Sequence, residues 1–159
     1  MQDEEVLAAL SASAGRRILG VGSVAGLGLT LLYLALAQSP SLGWQVFMVG
    51  FGATCVFLAE RMWRATAQWL ILTRDGLRDN TGRMIAPVAQ MRTVERGVFA
   101  FKPSNGFRIQ LTEKAPAVWQ PGLWWRVGRS VGVGGVTSGT PAKFMAEQIQ
   151  DLIARQAQD

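Results

Sequence analysis

Trp119, Trp124, Trp125, Arg126 and Arg129 crowd one short stretch of this chain, and they are the side chains best suited to bind something. Indole rings and guanidinium groups are favoured at the centres of protein interfaces, and Trp also at the lipid–water boundary. The chemistry open to this cluster is recognition of a partner subunit or of a lipid surface, rather than the making and breaking of bonds. Three tryptophans are too large to stay in water without reason. The alternative is that they fold back onto the core of their own domain.

Other chemistry is poorly provided for. The chain has no histidine, which removes the commonest general base and a common metal ligand. Its one cysteine, Cys55, lies within an apolar run, where it reads as a small packing residue. The glycine-rich stretch from Gly132 to Thr140 precedes a helical pattern, as a phosphate-binding loop would. It lacks the Gly-Lys-Ser/Thr ending of a P-loop, and it has Thr137 where a dinucleotide fingerprint needs its third glycine. It reads as a tight strand-to-helix connection. No carboxylate pair stands out, so no catalytic residue, cofactor or metal is expected.

The elements that must position the Trp–Arg cluster begin with a membrane signal. The 42 residues from 18 to 59 carry no charged side chain. About 20 apolar residues cross a bilayer core as a helix, so the run reads as two spans, 18–37 and 43–61. Between them, Gln38-Ser39-Pro40-Ser41-Leu42-Gly43 is the one polar break, and Pro40 disfavours helix at the residue before it. So short a turn makes the spans an antiparallel hairpin. Arg16, Arg17, Arg61 and Arg64 flank the spans and the turn has no basic residue. Both termini are therefore expected in the cytoplasm. Trp44 and Trp63 lie near the two ends of the second span, where aromatic rings anchor at the interface. Ala35-Leu36-Ala37 resembles a signal-cleavage site, but the apolar run is long for a signal peptide and its N-terminal flank starts acidic.

Small residues mark both spans. Gly22 and Gly26 form a G-x-x-x-G, and Gly50 is followed one helical turn later by Thr54. Such spacing lets helix backbones approach closely. These faces pack the hairpin against itself, or they dock another membrane protein. The 18–59 run holds no Asp, Glu, Lys, Arg or His, so the pair makes a poor carrier or channel by itself.

The soluble part is expected over 62–159, with residues 1–17 as a cytoplasmic segment in which 5–15 lies along the membrane as a short interfacial helix carrying Val6, Leu7 and Leu10. Short strands are predicted around 69–73, 77–79, 84–86, 92–101, 107–112 and 131–133. Asp75-Gly76, Asn80-Thr81-Gly82 and the 102–106 stretch serve as turns. Residues 113–129 read as a long Trp-rich loop. A final helix is capped by Thr140 and carries an apolar stripe of Phe144, Met145, Ile149, Leu152 and Ile153. The fold class is thus a two-helix membrane hairpin plus a small α+β domain, an antiparallel sheet or barrel closed by a C-terminal helix. The chain has 16 Lys and Arg against 11 Asp and Glu. The positive charges are scattered, which fits an anionic membrane surface better than nucleic acid.

Leu72-Thr73-Arg74-Asp75-Gly76-Leu77, Gly82-Arg83-Met84-Ile85-Ala86-Pro87 and Met91-Arg92-Thr93-Val94-Glu95, following a two-helix hairpin, resemble bacterial membrane proteins with a pleckstrin-homology-like domain. The resemblance runs from about residue 69 to 158 and departs in the Trp-rich stretch. It implies a role in scaffolding or assembly at the inner membrane. The expected function is a non-catalytic accessory or assembly subunit of a larger membrane complex. Its partners would be the bilayer and another integral membrane protein. The alternative is a membrane-tethered binder of anionic lipid head groups through Arg126, Arg129 and the tryptophans.

Overall fold

The computed structural model describes residues 5–96 and 105–158. The chain runs β1 (Ala8–Ser11), α1 (Ala14–Ala37), α2 (Leu42–Ala65), β2 (Trp69–Leu72), β3 (Gly76–Asp79), β4 (Met84–Pro87), a 3-10 turn (Val88–Gln90), β5 (Met91–Glu95), β6 (Phe107–Gln120), β7 (Trp124–Val133) and α3 (Gly139–Gln156). The strands form two antiparallel sheets, β1-β2-β3-β4 and β5-β6-β7, and do not close into a barrel. The far half of the strand expected over 92–101 and most of the 102–106 turn lie outside the described residues.

Both long helices have 24 residues, about 36 Å at 1.5 Å per residue. They are long and apolar enough to span a membrane, and only 11% and 22% of their apolar windows are buried. The rest of the chain therefore leaves them uncovered, unlike the core helices of a soluble protein. Ser39, with a φ of 42°, and Pro40 make the turn between them, and the Gln45 carboxamide ties it by donating to the Ala35 carbonyl at 3.0 Å. Among the shielded positions, Arg17, Val21, Val24, Gly28, Leu31 and Ala35 on α1, and Gln45, Met48, Gly52, Cys55, Ala59 and Met62 on α2, recur every three or four residues. That is the spacing of a coiled-coil-like seam.

Gly28 and Gly52 let the two helix backbones approach each other closely. A Cβ on Gly28 would stand 2.8 Å from the Gly52 carbonyl oxygen, and one on Gly52 would stand 2.9 Å from the Gly28 carbonyl oxygen. The residues singled out by motif are elsewhere. A Cβ on Gly22, Gly26 or Gly50 would meet nothing within 4 Å, and the Thr54 hydroxyl donates to the Gly50 carbonyl of its own helix at 2.8 Å. The hairpin is therefore not packed through Gly22, Gly26 and Gly50.

The expected interfacial helix over 5–15 is instead a strand. β1 pairs with β2 from Ala8↔Leu72 to Ser11↔Trp69, and its burial alternates, with Ala8 and Leu10 in and Ala9 and Ser11 out. Period two wins because Leu10, 1% exposed, fills the core beside Leu70 and Leu72. The sheet domain thus includes residues on the N-terminal side of the hairpin, and α1 and α2 form an insertion between two neighbouring strands.

Leu77, Ile85, Phe107, Ile109, Leu111, Val131 and Val133 complete the core. The C-terminal helix covers it with Ala142, Met145, Ala146 and Ile149. Leu152 and Ile153 are only partly buried and Phe144 is 49% exposed. Ser138, rather than Thr140, precedes the first helical residue.

Candidate functional site

The stretch expected as a loop over 113–129 belongs to a long β6–β7 hairpin. Its pairing is irregular. Between Gln110↔Ser130 and Ala115↔Gly128, β6 advances five residues while β7 advances two. Between Ala115↔Gly128 and Val118↔Arg126 the steps are three and two. Extra residues on one strand bend a hairpin and add twist, and Gly128, at φ 59°, takes a backbone conformation that glycine favours. The hairpin curls until its tip meets the chain just beyond β7. Gly134 N–H donates to the Leu123 carbonyl at 2.9 Å and Val136 N–H to the Gly122 carbonyl at 3.0 Å.

This curl gives the three tryptophans different surroundings. Trp124 is 1% exposed and belongs to the core, although its indole N–H lacks a hydrogen-bond partner. Trp125 lies over Gly132, where a Cβ would stand 2.3 Å from the indole ring. Trp119, the cross-strand partner of Trp125, is 55% exposed. Of the three, only Trp119 is freely presented to the surroundings.

Arg126 is also committed inside the domain. Its Nε donates to the Pro116 carbonyl at 2.9 Å, and its Nη1 donates to the Ile85 carbonyl at 2.8 Å and the Met84 carbonyl at 3.5 Å. It clamps β4 of one sheet to the β6–β7 hairpin of the other. Burial, and then the nearby Arg83, lowers the pKa of its guanidinium below the ordinary value. Nothing in the sequence signalled this clamp, because its acceptors are backbone carbonyls about 10 and 41 residues away.

Arg129 is exposed. It lines an open cleft of about 570 Å³ with Arg92, Thr93, Glu95, Gln110, Leu111 and Thr112. Glu95 in this cleft stands 3.9 Å from Arg108, which also donates to Ser130 at 2.9 Å. Among the described residues no group of three or more His, Cys, Asp and Glu could hold a metal ion.

A second constellation lies where the helices enter the domain. Arg16 donates to the Thr137 carbonyl at 2.7 Å. Arg17 donates to the Trp63 carbonyl at 2.9 Å, and its guanidinium carbon lies 3.8 Å from the centroid of that ring. Ser13 N–H donates to the Val136 carbonyl at 2.9 Å. A Cβ on Gly122, at the tip of the β6–β7 hairpin, would stand 3.0 Å from both Met62 and Thr66 of the α2 end, and one on Gly20 would stand 2.9 Å from Met62. The helix ends and the domain are thus fitted backbone to side chain, with only two and three residues connecting them. Arg61, Arg64, Ala65, Gln68 and Gln120 line a cleft of about 250 Å³ at this junction, and Arg64 pairs with Glu60. At the opposite end of α2, Trp44 is 57% exposed and stacks on Phe47 at 5.2 Å.

No protein-family model, no curated protein and no solved structure matches this chain.

Proposed function

We propose that this chain is a non-catalytic accessory or assembly subunit of a larger inner-membrane complex. It would hold a pleckstrin-homology-like domain against the cytoplasmic face and have both termini in the cytoplasm. One observation carries the reading. The helix pair already has a seam through Gly28 and Gly52, and Gly22, Gly26 and Gly50 lie outside it, where an added Cβ would meet nothing within 4 Å. Small residues on a lipid-facing surface make a shallow place where another helix can approach closely.

The fitted junction supports the same reading, because a partner that grips the helices also fixes the orientation of the domain. The alternative, recognition of lipid head groups through Arg126, Arg129 and the tryptophans, is weakened. Arg126 is taken up by three carbonyls, and Trp124 is in the core.

Affinity purification of the full chain in mild detergent, with mass spectrometry of what accompanies it, tests the proposal. The expected result is an integral membrane protein at fixed stoichiometry that is lost from the Gly22→Leu, Gly26→Leu double variant. An unchanged set of companions in that variant would remove the helix face from the reading. Reporter fusions at residue 159 and within the 38–43 turn test the orientation, and a C-terminal reporter active only in the periplasm would overturn it.

A further inference from the structure

We infer that the cleft lined by Arg61, Arg64, Ala65, Gln68 and Gln120 binds the head-group phosphate of an anionic phospholipid. The site does not depend on whether the helices have a protein partner. Its depth is the first argument. A 24-residue helix of about 36 Å exceeds a hydrocarbon core of about 30 Å by roughly one turn. The last turns of α2, with Arg61 and Arg64, therefore emerge at head-group level. Trp63 on the same helix end and Trp119, which precedes Gln120 in β6, are both exposed, and tryptophan favours that layer.

The lining is the second argument. It holds two guanidinium groups, two carboxamides and no acidic residue. Arg64 is paired with Glu60, whereas Arg61 makes no hydrogen bond or ion pair among the described residues. Guanidinium groups bind phosphate oxygens through paired charge-assisted hydrogen bonds. The Gln68 carboxamide lines the same cleft and offers a neutral donor beside the two guanidinium groups. Phosphatidylglycerol carries the matching phosphodiester anion with a small, uncharged head group. The volume of about 250 Å³ is below the roughly 300–1,000 Å³ of sites for drug-sized ligands. It suits one phosphodiester with a small head group.

Native mass spectrometry of the full chain in detergent, titrated with phosphatidylglycerol or phosphatidylcholine, tests the site. The expected result is preferential retention of one phosphatidylglycerol. Arg61→Gln with Arg64→Gln should weaken that binding at least tenfold, since each basic group near an anionic lipid surface contributes several-fold. Arg92→Gln with Arg129→Gln removes the same charge from the other cleft and should change it less than twofold. Equal weakening by the two pairs would reduce the effect to general attraction and overturn the site, as would unchanged binding in the first pair. Inorganic phosphate that displaces the lipid at equal concentration would make it a site for free phosphate instead. If the first pair fails to fold, Arg61→Gln alone takes its place. It should lower the preference for phosphatidylglycerol over phosphatidylcholine several-fold, and an unchanged preference would overturn the proposal.

Discussion

Arg17 of α1 holds Trp63 of α2 twice, through a hydrogen bond to its carbonyl at 2.9 Å and through a guanidinium 3.8 Å from its ring centroid. The two residues are 46 apart in sequence and sit where the helices leave the sheet domain. The contact fastens the helix ends where the seam reaches the sheet domain.

Replacing Trp63 by Leu removes the ring and leaves its carbonyl. A double-mutant cycle with Arg17→Gln should give a coupling of about 1 kcal/mol, the size of a partly exposed cation–π contact. Chemical unfolding of the full chain in detergent measures it. A coupling of zero would mean that the ring only rests beside the guanidinium.

The glycines should divide sharply. Gly28→Ala or Gly52→Ala puts a methyl group within 3 Å of a carbonyl oxygen on the other helix, and such overpacking costs about 1–3 kcal/mol. Gly22→Ala and Gly26→Ala meet open space and should leave the stability of the isolated chain within about 0.5 kcal/mol. Loss of stability at Gly22 comparable to that at Gly28 would refute the seam described above.

The tryptophans should divide in the same way. Trp124→Ser removes a fully buried ring and should cost about 3–5 kcal/mol, enough to unfold a marginal domain. Trp119→Ser removes an exposed ring and should shift the unfolding midpoint little, while reducing the association of the chain with its surroundings. Near-ultraviolet circular dichroism with denaturant titration distinguishes them. Equal destabilisation would return Trp119 to the core.

A fragment of residues 62–159 should be less stable than its length suggests, because it lacks β1. Its loss strips Leu10 from the core and leaves β2 as an open edge, a recognised aggregation hazard. Joining residues 5–12 to residues 67–158 through an Asn-Gly turn should restore the pairing. Amide hydrogen exchange at Leu70 and Leu72 would show protection in the joined chain and little in the fragment. Equal protection in both would make β1 dispensable.

Much of this arrangement could be read along the chain. The uncharged run and Pro40 announced the helical pair, and the glycines at 76 and 82 announced the turns of β2–β4. Where the reading failed, the cause was a distant partner. β1 has four residues, two of them alanine, and the three-residue spacing of Leu7 and Leu10 suits one face of a helix better than one face of a strand. Its partner lies beyond both helices. The β6–β7 hairpin lost its alternation at the bulges around 111–117, so it looked like a loop. The motif at Gly22 and Gly26 signals close approach but not to what. The true seam at Gly28 and Gly52 depends on how the two helices are rotated, which only their packing fixes.

The order of elements also imposes an order of assembly. β1 is made first, but the strand it pairs with follows 57 residues later, after both long helices. The sheet cannot close on its N-terminal side until α2 has brought the chain back to where α1 began. Until then Leu10 has no pocket and β2 no neighbour. A one-residue error in the return would turn Leu10 to the outside, since alternate residues of a strand face opposite ways. Completion of the sheet domain therefore reports that α1 and α2 have folded back on each other, and a chain in which α2 fails to make that return would carry an open strand edge.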